Sequence, residues 1–254
     1  MLRKGDLTQG GIITTLLQFT LPMLAGSLLQ QCYNIADTLI VGQCIGANAL
    51  AAVGSAYTLM VFLISILLGL SMGSGTVFSL QYGAGDLSAL RRSIYVSLLL
   101  IGTVTILLNV AVFLWLDPIL RWLQVPYDIY SLMRNYLWII FWGIVFTFLY
   151  NFYAALLRAV GDSVTPLWFL AVSVVLNIGL DLFLILVLDQ GIEGAAVATV
   201  IAQLFAALYC LRAVLHVKVI HLKKEYFRLN PEIAKRLLGL GTPVAAQNVI
   251  IAVG

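Results

Sequence analysis

Residues 176–203 read LNIGLDLFLILVLDQGIEGAAVATVIAQ, two apolar segments joined by a short acidic turn. Ser173, Asn177 and Asp181 fall four residues apart and form one stripe on a helix, and Thr199 and Gln203 repeat that spacing on the second segment. A helix pair with facing oxygen-rich stripes is the simplest arrangement. An aspartate well inside an apolar span costs about 2.5–3.5 kcal/mol on insertion scales, so Asp181 points to a bundle interior and to a function.

Composition sets the solvent. With 62% apolar and 10% charged residues and a mean hydropathy of +1.03, the chain departs far from a soluble domain, in which about 25% of residues are charged. It reads as an all-α integral membrane protein whose main partner is the lipid bilayer. The charges cluster between long uncharged runs, so the net charge of +3 reflects loop topology and does not point to nucleic acid. Cys32, Cys44 and Cys210 lie in or beside apolar spans and form no disulfide framework.

Outward from this stretch, spans are expected at about 11–40, 48–80, 93–116, 135–157, 165–188 and 194–211. The first follows a polar lead carrying Arg3 and Lys4. It continues through Gln30, Gln31, Asn34 and Asp37, so it reads as a retained helix, kinked near Gln18–Pro22. Gly69 and Gly73 form a GxxxG pair, with Gly75 beyond, that allows close helix approach. A basic connector (217–236) separates a six-helix lobe (1–216) from a seventh span that opens at Leu237 and has 18 residues to Gly254. His216 and His221 read as solvated or headgroup-facing. Counted by side, the lead and alternate loops hold 12 of the 14 lysines and arginines, which places the amino terminus in the cytoplasm.

Of the 11 acids, only Asp37 and Asp181 lie within spans, each backed by an amide. With that topology both fall in the outer half, as does Thr199, so one site is geometrically possible. Carboxylates with Asn and Thr oxygens suit a hard cation such as Na+. They equally suit protons, because two nearby carboxylates in low dielectric resist joint ionisation, and one can load and release a proton as access alternates. A purely structural role, tying helices together, is the alternative. Asn34, Tyr136 and Asn151 are candidate second-layer or substrate-lining groups. Trp138, Phe141, Trp142, Val145 and Phe148 share a helical face that could line a pocket for flat cations, although lipid contact or core packing also fits.

Leu16-Leu17 with Pro22 is echoed by Leu237-Leu238 with Pro243, each proline five residues after the second leucine. Six spans per unit give a second unit the same orientation, the parallel type of transporter repeat. One lobe and the start of another are expected here, with the second lobe supplied by the same or another chain.

The chain resembles the amino-terminal half of a MATE multidrug and toxin extrusion transporter. The matching pieces are Pro22, Tyr33-Asn34-Ile35-Ala36-Asp37 and Val41-Gly42, then Gln81 with Gly83-Ala84-Gly85-Asp86. Leu157-Arg158-Ala159, Gly161-Asp162 and Pro166 follow, and then Asn177, Asp181, Gly194-Ala195-Ala196 and Ala198-Thr199. The resemblance implies a twelve-helix, two-lobed antiporter in the plasma membrane, exporting small organic cations against a Na+ or H+ gradient. It implies no other cofactor and no enzymatic activity. It also implies that Asp37, Asn177, Asp181 and Thr199 supply the cation ligands. Two other classes remain. A lipid-linked sugar flippase would need a basic cavity, and an intramembrane aspartyl protease would use Asp181 with Asp86 of the GxGD-like Gly83-Ala84-Gly85-Asp86.

Overall fold

A computed structural model describes residues 12–217 and 231–253. The polar lead and most of the basic connector, His221 included, lie outside the described residues. Seven helices are formed among those described: α1 (Ile12–Cys44), α2 (Ala47–Gly83), α3 (Leu87–Trp122), α4 (Tyr127–Ala159), α5 (Val164–Leu182), α6 (Gly191–His216) and α7 (Pro231–Val253). A π-helical turn, Phe183–Val187, prolongs α5, closed by Leu188 N–H donating to the Phe183 carbonyl at 3.1 Å. By length and composition, α2, α3, α4, α5 with its π turn, and α6 are able to cross a membrane. Among the described residues, α1 and α7, both expected to span, are not in that set.

Several helices overrun the apolar spans, and at α3 a polar cap sets the start. Asp86 caps α3, accepting from Ala89 N–H and from the Ser88 hydroxyl, both at 2.9 Å; these bonds hold its carboxyl below the usual carboxylate range. Asp162 accepts from the Thr165 N–H (3.0 Å) and hydroxyl (2.7 Å) at the start of α5. α7 begins at Pro231, ahead of the expected Leu237, with proline in the first turn where its missing N–H costs nothing. Gly46, at φ 117°, makes the reversal between α1 and α2 in a conformation few other residues adopt.

α1 runs as one helix through Pro22, where a kink was expected. The break falls in α3 instead, at Trp115 (φ −114°, ψ 15°), three residues before Pro118. A proline ring clashes with the preceding turn and removes one helical hydrogen bond, which accounts for the position.

α4 is the hub, packing on α2, α3 and α6, while α6 packs on α5, and α5 on α1. The approaches are made by small residues. A Cβ on Gly143 of α4 would lie 2.8 Å from Val200 Cγ2 of α6, and one on Gly75 of α2 would lie 3.3 Å from Ala155 Cβ of α4. Phe78 and Phe152 meet edge to face at 5.9 Å in the α2–α4 core. Gly69 and Gly73 do mark a close approach, and the partner is α7. The outward faces are rich in exposed leucine, valine and tryptophan, among them Leu114, Val175 and Trp168, a surface suited to lipid.

Candidate cation-binding site

Asp37 on α1 and Asp181 on α5 lie close enough to interact electrostatically. Their burial is deep, at 8% and 0% exposure. Asp181 is one residue from the end of regular α5, so the π turn begins just beyond it. Such turns recur at functional sites because they re-aim side chains that a regular helix would misplace.

Asn177, one turn before Asp181, is wholly buried. Matching donors to acceptors assigns its amide nitrogen to Asp181 Oδ2, at 2.9 Å, and its oxygen to the Thr199 N–H, at 3.2 Å. The reverse orientation would set two oxygens against each other. The Thr199 hydroxyl lies 3.2 Å from the Tyr33 hydroxyl, which ties α6 back to α1. Tyr136 of α4 is buried close enough to interact electrostatically with Asp37, Asp181 and Tyr33. Three helices thus supply the oxygens and a fourth closes the cluster.

Two atoms are left over. Oδ1 of Asp37 and Oδ1 of Asp181 are buried with no hydrogen-bond partner. A buried polar atom without a partner is costly, and two neighbouring buried carboxylates need a proton or a cation between them. All-oxygen donors of this kind fit a hard monovalent cation or a shared proton.

The MatE family model matches residues 22–183, more than half of the chain and most of this site. The chain belongs to the MatE family. It is 36% identical to "Probable multidrug resistance protein YpnP" of Bacillus subtilis over 98% of its length and 56% of that protein's. To "Multidrug export protein MepA" of Staphylococcus aureus it is 28% identical over 94% of its length and 53% of MepA's. A solved structure described as the outward-facing conformation of a multidrug resistance MATE family transporter superposes with a TM-score of 0.84 at 25% identity. That match covers 91% of this chain and 51% of the other. The chain spans about half the length of the relatives it matches. Membership of a multi-pass transporter family removes the protease alternative. Asp86 is consistent with that, being exposed and engaged as the cap of α3.

Other polar positions of this MatE chain lie elsewhere. Asn34 donates to Gln31 on its own helix at 3.0 Å, and Asn151 donates to the Thr147 carbonyl at 2.8 Å. Ser173 continues the Asn177–Asp181 stripe but donates to the Ala202 carbonyl of α6 at 2.8 Å, as a helix tie. Gln203 pairs with the Thr147 hydroxyl, one turn away from Thr199. The aromatic face of α4 packs on Phe113 of α3, with centroids at 4.7 Å for Trp138, 6.4 Å for Phe141 and 5.1 Å for Trp142. Phe141 and Phe148 are core, whereas Trp138 and Trp142 reach the outer surface.

Tyr33 is the residue that sequence reasoning passes over. It stands four before Asp37, the same spacing that singles out Asn177 before Asp181. A tyrosine in a membrane helix reads first as an interfacial anchor, which hides the signal.

Proposed function

We propose that this chain forms the first lobe of an ion-coupled antiporter that exports organic cations from the cell by alternating access. Asp37, Asn177, Asp181 and Thr199 bind the coupling ion, Na+ or H+, as a travelling substrate. The observation that carries the reading is a pair of neighbouring buried carboxylates on different helices, each with an unpartnered oxygen. Relatives named for multidrug resistance and multidrug export support an export function.

The coupling follows from charge. A filled site cancels one of the pair's two negative charges, removes most of the repulsion and lets α1 and α5 pack together. An emptied site leaves like charges in a medium of low dielectric, where they repel strongly unless the helices part or another cation enters. Ion loading and organic-cation binding therefore compete for one pair of charges, and an ion's differential affinity for the two packings sets which one is populated. Carboxylates at the centre of the bundle favour a cation over the anionic pyrophosphate of a lipid-linked sugar, so the flippase reading ranks second. The positive-inside rule orients the chain with its amino terminus in the cytoplasm of a plasma-membrane protein.

The test is efflux of a cationic dye by the two-lobed protein in vesicles. Asp37→Asn and Asp181→Asn should each abolish ion-driven efflux while insertion stays normal, because the amide keeps the shape and removes the charge. Asn177→Ala and Thr199→Ala each remove one neutral oxygen and should weaken the ion dependence less. Normal efflux with normal ion dependence in both aspartate variants would overturn the assignment. For the orientation, a cysteine at Lys218 should resist an impermeant thiol reagent applied outside intact cells, and ready labelling would reverse it.

A further inference from the structure

α4 and α6 run parallel, since Gly143 meets Val200 and, one turn on, Thr147 meets Gln203. α2 joins them, with Ile64 level with Ile144 and Gly75 against Ala155. Where the three helices face one another they leave a cavity of about 10 Å3. Thr147, Thr199 and Gln203 give it a polar side, and Met60, Ile140 and Ile144 are part of its apolar wall. Thr199 belongs to the cation site as well, so the cavity adjoins that site through one side chain.

The volume is about the least that admits one water molecule, and a buried water needs roughly two to four polar partners. Three converge here. Their own hydrogen bonds are one donor short. The Thr147 hydroxyl faces both the Gly143 carbonyl, at 3.2 Å, and Gln203 Oε1, but it has one proton to give, so one acceptor needs another donor. The same seam holds a second unmet group. Ser71 stands on the α2 face between Ile64 and Gly75, and its hydroxyl is buried with no partner. Buried hydroxyls are rarely left so, and water in the seam would satisfy it. Beyond Ser71 the seam tightens, with a Cβ on Gly75 only 3.3 Å from Ala155 Cβ.

We propose that a water molecule seated between Thr147, Thr199 and Gln203 orients the Thr199 hydroxyl toward the coupling ion, which makes Thr147 and Gln203 positioning residues of the cation site. This rests on the ion-site reading given above. A threonine hydroxyl carries one proton and two lone pairs. A water on the cavity side that accepts the proton leaves the lone pairs free on the other side, where a cation takes them. The Asn177 oxygen is already engaged by the Thr199 N–H, so the direction of this hydroxyl decides whether the site has a neutral oxygen to offer beside its carboxylates. Thr147 and Gln203 hold the water in turn, and they act on the ion without touching it.

The test has two arms, both on the two-lobed protein in vesicles. In the first, X-ray pulses make hydroxyl radicals from bound water, and mass spectrometry locates the oxidised side chains. Ile144, 3% exposed beside the cavity, should be oxidised well above Leu116, 2% exposed in the α3 core, and the excess should vanish in Gln203→Leu. Equal oxidation of Ile144 and Leu116 would overturn the proposal. In the second arm, Thr147→Val and Gln203→Leu should each raise the half-saturating ion concentration for dye efflux by about fivefold, the loss of one neutral hydrogen bond. The rate at saturating ion should stay within about twofold of wild type, and Thr147→Ser should keep the wild-type response. An unchanged ion response in both variants would overturn the positioning role, and a change confined to the half-saturating dye concentration would assign the two residues to substrate contact instead. A wild-type protein with no ion response at all would overturn the ion-site reading and the positioning role with it, and Ile144 oxidation would still decide whether the water is there.

Discussion

Gly73→Ala adds one methyl group where α2 and α7 touch through their backbones. The new Cβ would stand 2.4 Å from Gly241 Cα, and ordinary contact begins at 3.4 Å, so the helices must part by about 1 Å (3.4 − 2.4). Backbone cannot rotate aside as a side chain can. A gap of 0.5–1 Å forfeits roughly a quarter to a half of the dispersion energy at each contact, and forced overpacking costs about 1–3 kcal/mol. Alanine gains up to about 1 kcal/mol of helix propensity in water. That gain shrinks in a bilayer, where helices persist after they separate. The clash therefore dominates, and Gly73→Ala should destabilise the chain by about 1–2 kcal/mol. Gly54→Ala is the control, because a Cβ there meets nothing within 4 Å. Both variants are read by SDS titration of the purified chain in mixed micelles, following the loss of α7 protection against proteolysis. A Gly73→Ala protein as resistant as Gly54→Ala would refute the backbone contact.

Phe141 and Trp142 adjoin in sequence yet should behave oppositely. Phe141 is fully buried, and its truncation to alanine should cost about 3–5 kcal/mol in the same titration. Trp142 is 62% exposed, so Trp142→Ala should cost a small fraction of that unless its face lines a pocket. Tyr33→Phe removes a neutral hydrogen bond to Thr199 and no charge, so the half-saturating ion concentration should rise by about tenfold at most, equivalent to roughly 1.4 kcal/mol. Complete loss of ion dependence in Tyr33→Phe would make the tyrosine a ligand in its own right.

The lobe was legible because membrane helices announce themselves by length and apolarity, and α2 to α6 do so. The site was legible because carboxylates in lipid are costly, and the four-residue spacing from Asn177 to Asp181 put both on one face. Spacing says which residues share a face and not how far a neighbouring helix turns. Ser173 and Gln203 therefore lie on the right stripes but bond to Ala202 and Thr147. Asn34 is three residues from Asp37 but is satisfied by Gln31 first, while Tyr33 reaches across to α6. Gly69 and Gly73 announced a close approach without naming α7, since a small-residue pair fits any small-residue partner. The bend at Trp115 had a signal in Pro118. α1, by contrast, continues through Pro22 as one helix.

If Asp37 and Asp181 hold the coupling ion together, ion binding to the purified 254-residue chain reveals it without any need for transport. A ligand at a hundred times its dissociation constant stabilises the bound form by about 2.7 kcal/mol, which for a chain of this size raises the melting temperature by about 5–10 °C. Melting is followed across a Na+ titration at constant ionic strength and across a pH series. The melting temperature should rise saturably with Na+ or with protons, and the rise should disappear in both Asp37→Asn and Asp181→Asn. A rise of full size that survives both substitutions would contradict it.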